Sequence, residues 1–184
     1  MNDSLRLKYL WLALAAVGVA FIIRAHALPA PATLGASHCG DTGYHQLDFW
    51  IGDWDTFETD TRPSIARARF EPIAQGCAIH ELYEQVDGLV GDSILSYDPV
   101  RKQWQQTWVT NRGSLMVITG NFKDGALVLE GEAHLNDGRS VMQRITWQAH
   151  DKGVRESAVL SKDGGKTWTA AFDVLFLKRR DKRD

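Results

Sequence analysis

The sequence of 184 residues lacks an excess of charge of either sign, since 21 lysines and arginines stand against 23 aspartates and glutamates. This balance excludes the strongly basic composition of a non-specific nucleic-acid binder, so we expect no nucleic-acid partner. It equally excludes a disordered acidic tail protein. A chain of this length can bury one substantial core but not two ordinary domains.

The sequence also lacks the short motifs that carry common chemistries. It contains no nucleophile elbow, glycine-rich phosphate loop, HExxH pair or EF-hand loop. Neither cysteine stands in a CxxC motif, and no histidine after the N-terminal segment lies two or four positions from another. These histidines are His38, His45, His80, His134 and His150. We therefore expect neither a metal nor a cofactor.

Only one long apolar run is present, and it begins the chain. Arg6 and Lys8 precede an apolar stretch over residues 9–23, and Ala25-His26-Ala27 follows it. A basic start, an apolar run and an A-x-A site in this order are typical of a secretory signal peptide. The alternative is a membrane anchor, but the run is shorter than the roughly 20 residues that span a bilayer. We expect residues 1–27 to be removed, leaving a periplasmic or secreted protein without membrane contact.

Cysteine is scarce, and both cysteines lie beyond the expected cleavage site. In an oxidising compartment an even cysteine count favours a disulfide, here between Cys39 and Cys77. Two buried thiols are the alternative, because cysteine is also a small core residue.

The remaining pattern predicts an all-β domain. Residues 28–43 are rich in Ala, Pro, Gly, Ser and Thr and form an expected linker, and residues 44–51 suggest a short helical turn. From there to residue 179, roughly ten short apolar runs alternate with turn signals such as Lys123-Asp124-Gly125. Such turns pair consecutive strands antiparallel, and closure removes the exposed edges. We predict an antiparallel up-and-down β-barrel over 44–179, followed by a charged tail at 180–184.

Several motifs carry resemblances to known proteins. Gly52-x-Trp54 resembles the G-x-W that opens lipocalins, which implies that Trp54 seals the barrel floor beneath Arg179 or Arg180. Ser161 to Trp168 resembles the Asp-box hairpin of sialidases and other propellers. A propeller needs several copies and this chain has one, so we interpret it as a structural hairpin.

A combination of four segments is more specific. FWIGDWD, GCAIHE, YDPVRKQWQQTWV and SKDGGKTW together resemble a family of exported bacterial proteins with a lipocalin-like barrel and no assigned biochemical activity. The resemblance covers residues 44–179, approximately. It implies the fold and the export, and it supplies no mechanism.

Strand alternation selects the candidate lumen residues, because successive side chains point to opposite faces. We expect inward positions for Glu81, Tyr83, Gln106, Trp108 and Arg144. They would form an aromatic-walled cavity with one carboxylate and one guanidinium. The alternative is that Glu81 and Arg144 form a structural ion pair or face solvent.

These residues favour a binding protein for one small apolar or amphipathic ligand. One competing hypothesis is an enzyme with an acid–base group in the cavity. Another is a periplasmic interaction or stability module with a filled core.

The cleavage site gives a first testable prediction. We expect the mature N-terminus at Leu28, because Ala25 and Ala27 suit signal peptidase. Intact mass of the exported protein measures this. A full-length species retained in the membrane would contradict it.

Overall fold

Ten antiparallel strands close into a barrel in the computed structural model, which describes residues 39–58, 63–135 and 138–179. The predicted all-β up-and-down barrel is confirmed. The expected signal peptide and the charged tail lie outside the described residues. In chain order the strands are β1 Gly52–Phe57, β2 Ala66–Ile73, β3 Ala78–Gln85, β4 Val90–Asp98, β5 Gln103–Thr110, β6 Leu115–Lys123, β7 Ala126–His134, β8 Ser140–His150, β9 Gly153–Ser161 and β10 Thr169–Lys178.

Each strand pairs with its neighbours in sequence, and β1 pairs with β10 to close the ring. The turn between β6 and β7 shows why. Asp124 and Gly125 have φ of 52° and 82°, the positive values of a two-residue hairpin turn. Glycine and aspartate tolerate this conformation, so local chemistry sets the antiparallel pairing.

Two 3-10 turns precede β1, at Thr42–His45 and Asp48–Trp50. Together with the residues around them they form a segment that we call the N-terminal plug, residues 39–51. Trp50 enters the barrel end and is only 1% exposed. Its ring lies 4.5 Å from that of Phe70, 5.0 Å from Phe176 and 5.3 Å from Trp147, measured between centroids. This end of the lumen is therefore packed with aromatic side chains.

The plug is held to the barrel wall at three points. Cys39 is disulfide-bonded to Cys77 at the start of β3, as the cysteine count predicted. Gln46 accepts a hydrogen bond of 2.9 Å from the indole N–H of Trp104. Gly43 lies under the ring of Tyr97, where a Cβ would stand 2.3 Å from the ring. Only glycine fits that contact.

Among the described residues, no segment fills the opposite end of the barrel. Since the plug occupies the end where β1 and β3 begin, the loops at 86–89, 111–114 and 162–168 surround the other end. The β9–β10 pairing contains a bulge between Ala170 and Phe172 near this opening. A bulge adds a residue to one strand and redirects its side chains.

Within the described residues, no helix has the length and apolar character needed to span a bilayer.

The disulfide yields a stability prediction. The free energy of unfolding of a Cys39→Ala/Cys77→Ala double variant should be about 3 to 4 kcal/mol lower than that of wild type. The reason is that a cross-link between residues 38 apart restricts the unfolded chain. Urea unfolding followed by circular dichroism measures the change. Equal stability of variant and wild type would contradict the tethering role.

Candidate functional site

The open end leads into a cavity of about 680 Å³ inside the lumen. This volume lies in the range of pockets that bury a small organic ligand. Side chains from all strands except β1, β2 and β4 contribute to its lining. The lumen is thus packed at the plug and unfilled at the other end.

A buried polar cluster occupies one wall of the cavity. It joins Glu81 on β3, Ser93 on β4 and Gln106 on β5, which are 4%, 2% and 3% exposed. Ser93 donates to Glu81 Oε2 at 2.7 Å, and the Gln106 amide donates to the same oxygen at 3.3 Å. Gln106 Oε1 has no hydrogen-bond partner among the described residues. The Trp50 indole nitrogen and the Thr56 hydroxyl, in the packed half of the lumen, are likewise buried without a hydrogen-bond partner among the described residues.

Glu81 holds its proton unusually tightly. Burial raises the pKa of this carboxyl from 4.5 to about 8, and the charge of Glu156 adds to the effect. The hydrogen bonds from Ser93 and Gln106 lower the pKa, but they do not offset the loss of water.

Glu156 brings a second carboxyl into the cavity from β9. Around the ring β9 lies four strands from β3 in one direction and six in the other, so the two carboxyls come from opposite walls. Burial raises the pKa of Glu156 to about 7, while the Trp147 indole lowers it. The cavity therefore contains two carboxyls that titrate near neutral pH.

Aromatic rings line the wall above the polar cluster. Tyr83 and Trp108 meet edge to face, with centroids 6.0 Å apart and planes at 68°. The Trp108 ring lies directly over Gly91 on β4, where an added Cβ would stand 2.1 Å from the ring. Gly91 therefore makes room for the indole. Phe172, which follows the β10 bulge, stands at the mouth and is 39% exposed.

The mouth carries apolar and charged side chains. Leu89, Leu115 and Leu135 supply apolar surface there. Asp173 pairs with Arg155 through a hydrogen bond of 2.7 Å, and the pKa of Asp173 is lowered by that guanidinium. His134 contacts the Ser140 hydroxyl at 2.9 Å.

Arg144 does not enter the cavity, so the prediction of an inward guanidinium is wrong. Arg144 lies on the outer face of β8, where its Nε donates to Glu130 at 2.6 Å and its guanidinium stacks 4.1 Å from the Trp168 ring. The inner face of β8 instead carries Val141, Gln143, Ile145 and Trp147. No bulge interrupts the β8 pairing, so Arg144 and Trp147 must face opposite sides. The alternative pairing of Glu81 with Arg144 does not occur either.

The other predicted residues lie as follows. Glu81, Tyr83, Gln106 and Trp108 all line the cavity. Trp54 lies at the closed end and donates its indole N–H to the Trp50 carbonyl at 2.7 Å.

The cation expected over Trp54 is a different residue. Lys178 places its ammonium 5.6 Å from the Trp54 ring centroid. Arg179 instead pairs with Asp55 on the outer face at 2.8 Å, so its expected place above Trp54 is wrong. Arg180 lies outside the described residues.

Sequence reasoning missed Glu156, Ser93 and Gly91. Glu156 had a usable signal, because Val154 and Ala158 flank it at the strand period and both are buried. Ser93 and Gly91 had none, since a small residue in a strand says nothing about which ring or carboxyl lies beside it.

The Asp-box segment forms a self-contained hairpin at the open end. Asp163 Oδ1 accepts from the backbone N–H of Lys166 at 3.0 Å and of Thr167 at 2.9 Å. These bonds and the Thr167 hydroxyl lower the pKa of Asp163 to about 2. Ser161 accepts from the Gly165 backbone N–H and the Trp168 indole donates to the Gly165 carbonyl within the same hairpin, and Trp168 packs outside the barrel against Arg144.

Within the described residues, no three side chains of His, Cys, Asp or Glu are grouped to hold a metal ion.

Comparison with protein-family models gives no match, and neither does comparison with curated proteins. The geometry of the cavity is therefore the basis for any functional assignment.

The buried carboxyl gives a pH-dependent prediction. Folding raises the pKa of Glu81 from 4.5 to about 8. The protonated carboxyl therefore makes its full contribution to the free energy of unfolding below pH 4.5, and this contribution is lost as the pH rises to 8. Glu81→Gln cannot ionise and should escape this loss. We expect the variant to match wild type near pH 4.5 and to exceed it by about 2 to 4 kcal/mol at pH 8.5.

Urea unfolding at several pH values measures this difference. Glu84→Gln, on the exposed outer face of the same strand, is the control and should follow the wild-type curve. Parallel stability curves for Glu81→Gln and wild type would contradict the raised pKa.

Proposed function

We propose that this protein is an exported binding protein that holds one small amphipathic ligand in the open half of its barrel. The observation that carries the proposal is a cavity of about 680 Å³ that is lined by the Tyr83 and Trp108 rings and by the polar side chains of Glu81 and Gln106. A core evolved only for stability would fill this space, because voids cost free energy.

The distribution of side chains supports a ligand with two different ends. Tyr83 and Trp108 offer a rigid apolar wall, and Glu81 with Gln106 offers hydrogen-bonding groups deeper in the lumen. Burial of a ring or chain against such a wall contributes about 25 cal/mol per Å² before the costs of binding. The ligand would therefore enter polar end first and leave its apolar body toward the mouth.

Export is supported by two independent features. The N-terminal pattern of basic residues, apolar run and A-x-A site is typical of a signal peptide. The Cys39–Cys77 disulfide fits an oxidising compartment, because cytosolic proteins are kept reduced. Together they favour a periplasmic or secreted location.

Acid–base catalysis is a second candidate function. Two carboxyls with pKa values raised to about 8 and about 7 share one cavity, and perturbed groups of this kind cluster at active sites. Mass spectrometry of a ligand after incubation with the protein measures chemical turnover. A changed ligand mass would favour this candidate over simple binding.

The binding proposal predicts an asymmetry between two neighbouring residues of β5. Trp108→Ala removes the ring that faces the cavity and should weaken ligand binding at least about tenfold. Val109→Ala, on the exposed outer face of the same strand, should leave the affinity unchanged.

Calorimetric titration with fatty acids, fatty amines, isoprenoid alcohols and haem measures these affinities. Arg144→Ala is a further control, because this side chain contacts Glu130 and Trp168 outside the barrel. Failure of every compound to bind wild type, or equal losses for Trp108→Ala and Val109→Ala, would overturn the proposal.

A further inference from the structure

Acidic side chains outnumber basic ones in the lining of the cavity. The acids that line it are Glu58, Glu81, Glu156 and Asp173, and within the described lining residues His134 is the only side chain that could carry a positive charge. Asp173 is already paired with Arg155, and His134 is exposed at the mouth beside Ser140. Among the described residues, the deep part of the cavity thus brings Glu81 and Glu156 together without a cationic side chain.

We propose that the ligand is an amphipathic amine, whose ammonium group binds between Glu81 and Glu156 while its apolar body lies against Tyr83 and Trp108. This inference rests on the proposed binding function and narrows it to one chemical class. The chemistry that recognises the ligand is a pair of carboxyls from opposite walls of the lumen.

Desolvation provides the first reason. A buried carboxylate without a partner is costly, and the cost is relieved either by a proton or by a bound cation. Neither Glu81 nor Glu156 forms an ion pair within the described residues, so both now depend on protons. An ammonium would replace a proton, whereas a carboxylate ligand would add a third like charge to the same space.

Hydrogen bonding provides the second reason. An ammonium group has several N–H donors and no acceptor. The cavity offers complementary acceptors in the carboxyls of Glu81 and Glu156. Ser93 and Gln106 both donate to Oε2 of Glu81, so Oε1 of the same carboxyl is left to accept from an ammonium.

The aromatic wall provides the third reason. An indole face attracts a cation, and the attraction is stronger where water is excluded. Trp108 and Tyr83 form such a wall next to Glu81, and Gly91 gives the indole space to lie flat. The same rings also suit an apolar tail, so the wall accepts both parts of the ligand.

Protons should leave when an amine binds. Glu81 faces Glu156 across the lumen, the uncharged Ser93 and Gln106 beside it, and the Tyr83 hydroxyl, whose pKa burial raises. Asp92 on the outer face of β4 adds a minor negative charge. Glu156 is bordered by the neutral Trp147. An ammonium favours the ionised carboxyls, so binding near pH 6.5 should release about one proton per ligand.

Three probes with the same tail and different head groups test the inference: decylamine, decanol and decanoate. Calorimetric titration of the mature protein at pH 6.5 in phosphate and in HEPES reports both affinity and proton release. We expect decylamine to bind at least tenfold more tightly than decanol, with protons released, and decanoate to bind more weakly than either.

Two isosteric variants connect the effect to the carboxyls. Glu81→Gln and Glu156→Gln should each reduce the decylamine affinity at least tenfold and suppress proton release, and each should lower the affinity for decylamine more than the affinity for decanol. Circular dichroism spectra that match the spectrum of wild type show that the variants are folded. Glu84→Gln, on the outer face of β3, should behave as wild type.

The outcomes separate the two proposals. If decanol binds but decylamine binds no better, or if decanoate binds best, the amine inference is overturned and the binding function stands. Unchanged decylamine binding in both glutamine variants also overturns the inference. If none of the three probes binds, the amine inference is overturned, and the binding function is then decided by titration with the isoprenoid alcohols and haem.

Discussion

The insertion of Trp50 into one end of the barrel is the contact on which the rest of the structure depends. Its ring touches Trp54, Phe70, Trp147 and Phe176, which come from four different strands. Edge-to-face contacts of this kind stabilise beyond the area they bury. Because the plug fills only its own end, the remaining lumen keeps a cavity that opens at the far side.

The position of the buried carboxyls follows from this division. Glu81 and Glu156 lie where the packed half of the lumen meets the open half, so they lose bulk water without gaining a charged partner. Such groups reduce stability at neutral pH, and natural proteins accept that cost mostly at functional sites. The barrel can accommodate it because the aromatic cluster and the disulfide stabilise the other end.

Strand alternation was the strongest local signal for the site. It predicted four of the five cavity residues correctly and failed for Arg144, for a physical reason. It placed Glu81, Tyr83, Gln106 and Trp108 on the cavity side, because each shares a face with buried apolar neighbours. On β8 both faces carry large side chains, so alternation alone did not decide between Arg144 and its neighbours. The Glu130 partner and the Trp168 ring, which hold Arg144 outside, come from other strands and loops.

The sequence by itself determined the number and pairing of the strands, the hairpin turns and the disulfide partners. These features depend on side-chain period, turn chemistry and cysteine count, all of which act over short range or by simple count. Only the tertiary structure decided that Glu81 and Glu156 share one cavity. Their approach requires closure of the whole barrel, and their raised pKa values require the loss of water that closure and the plug together impose.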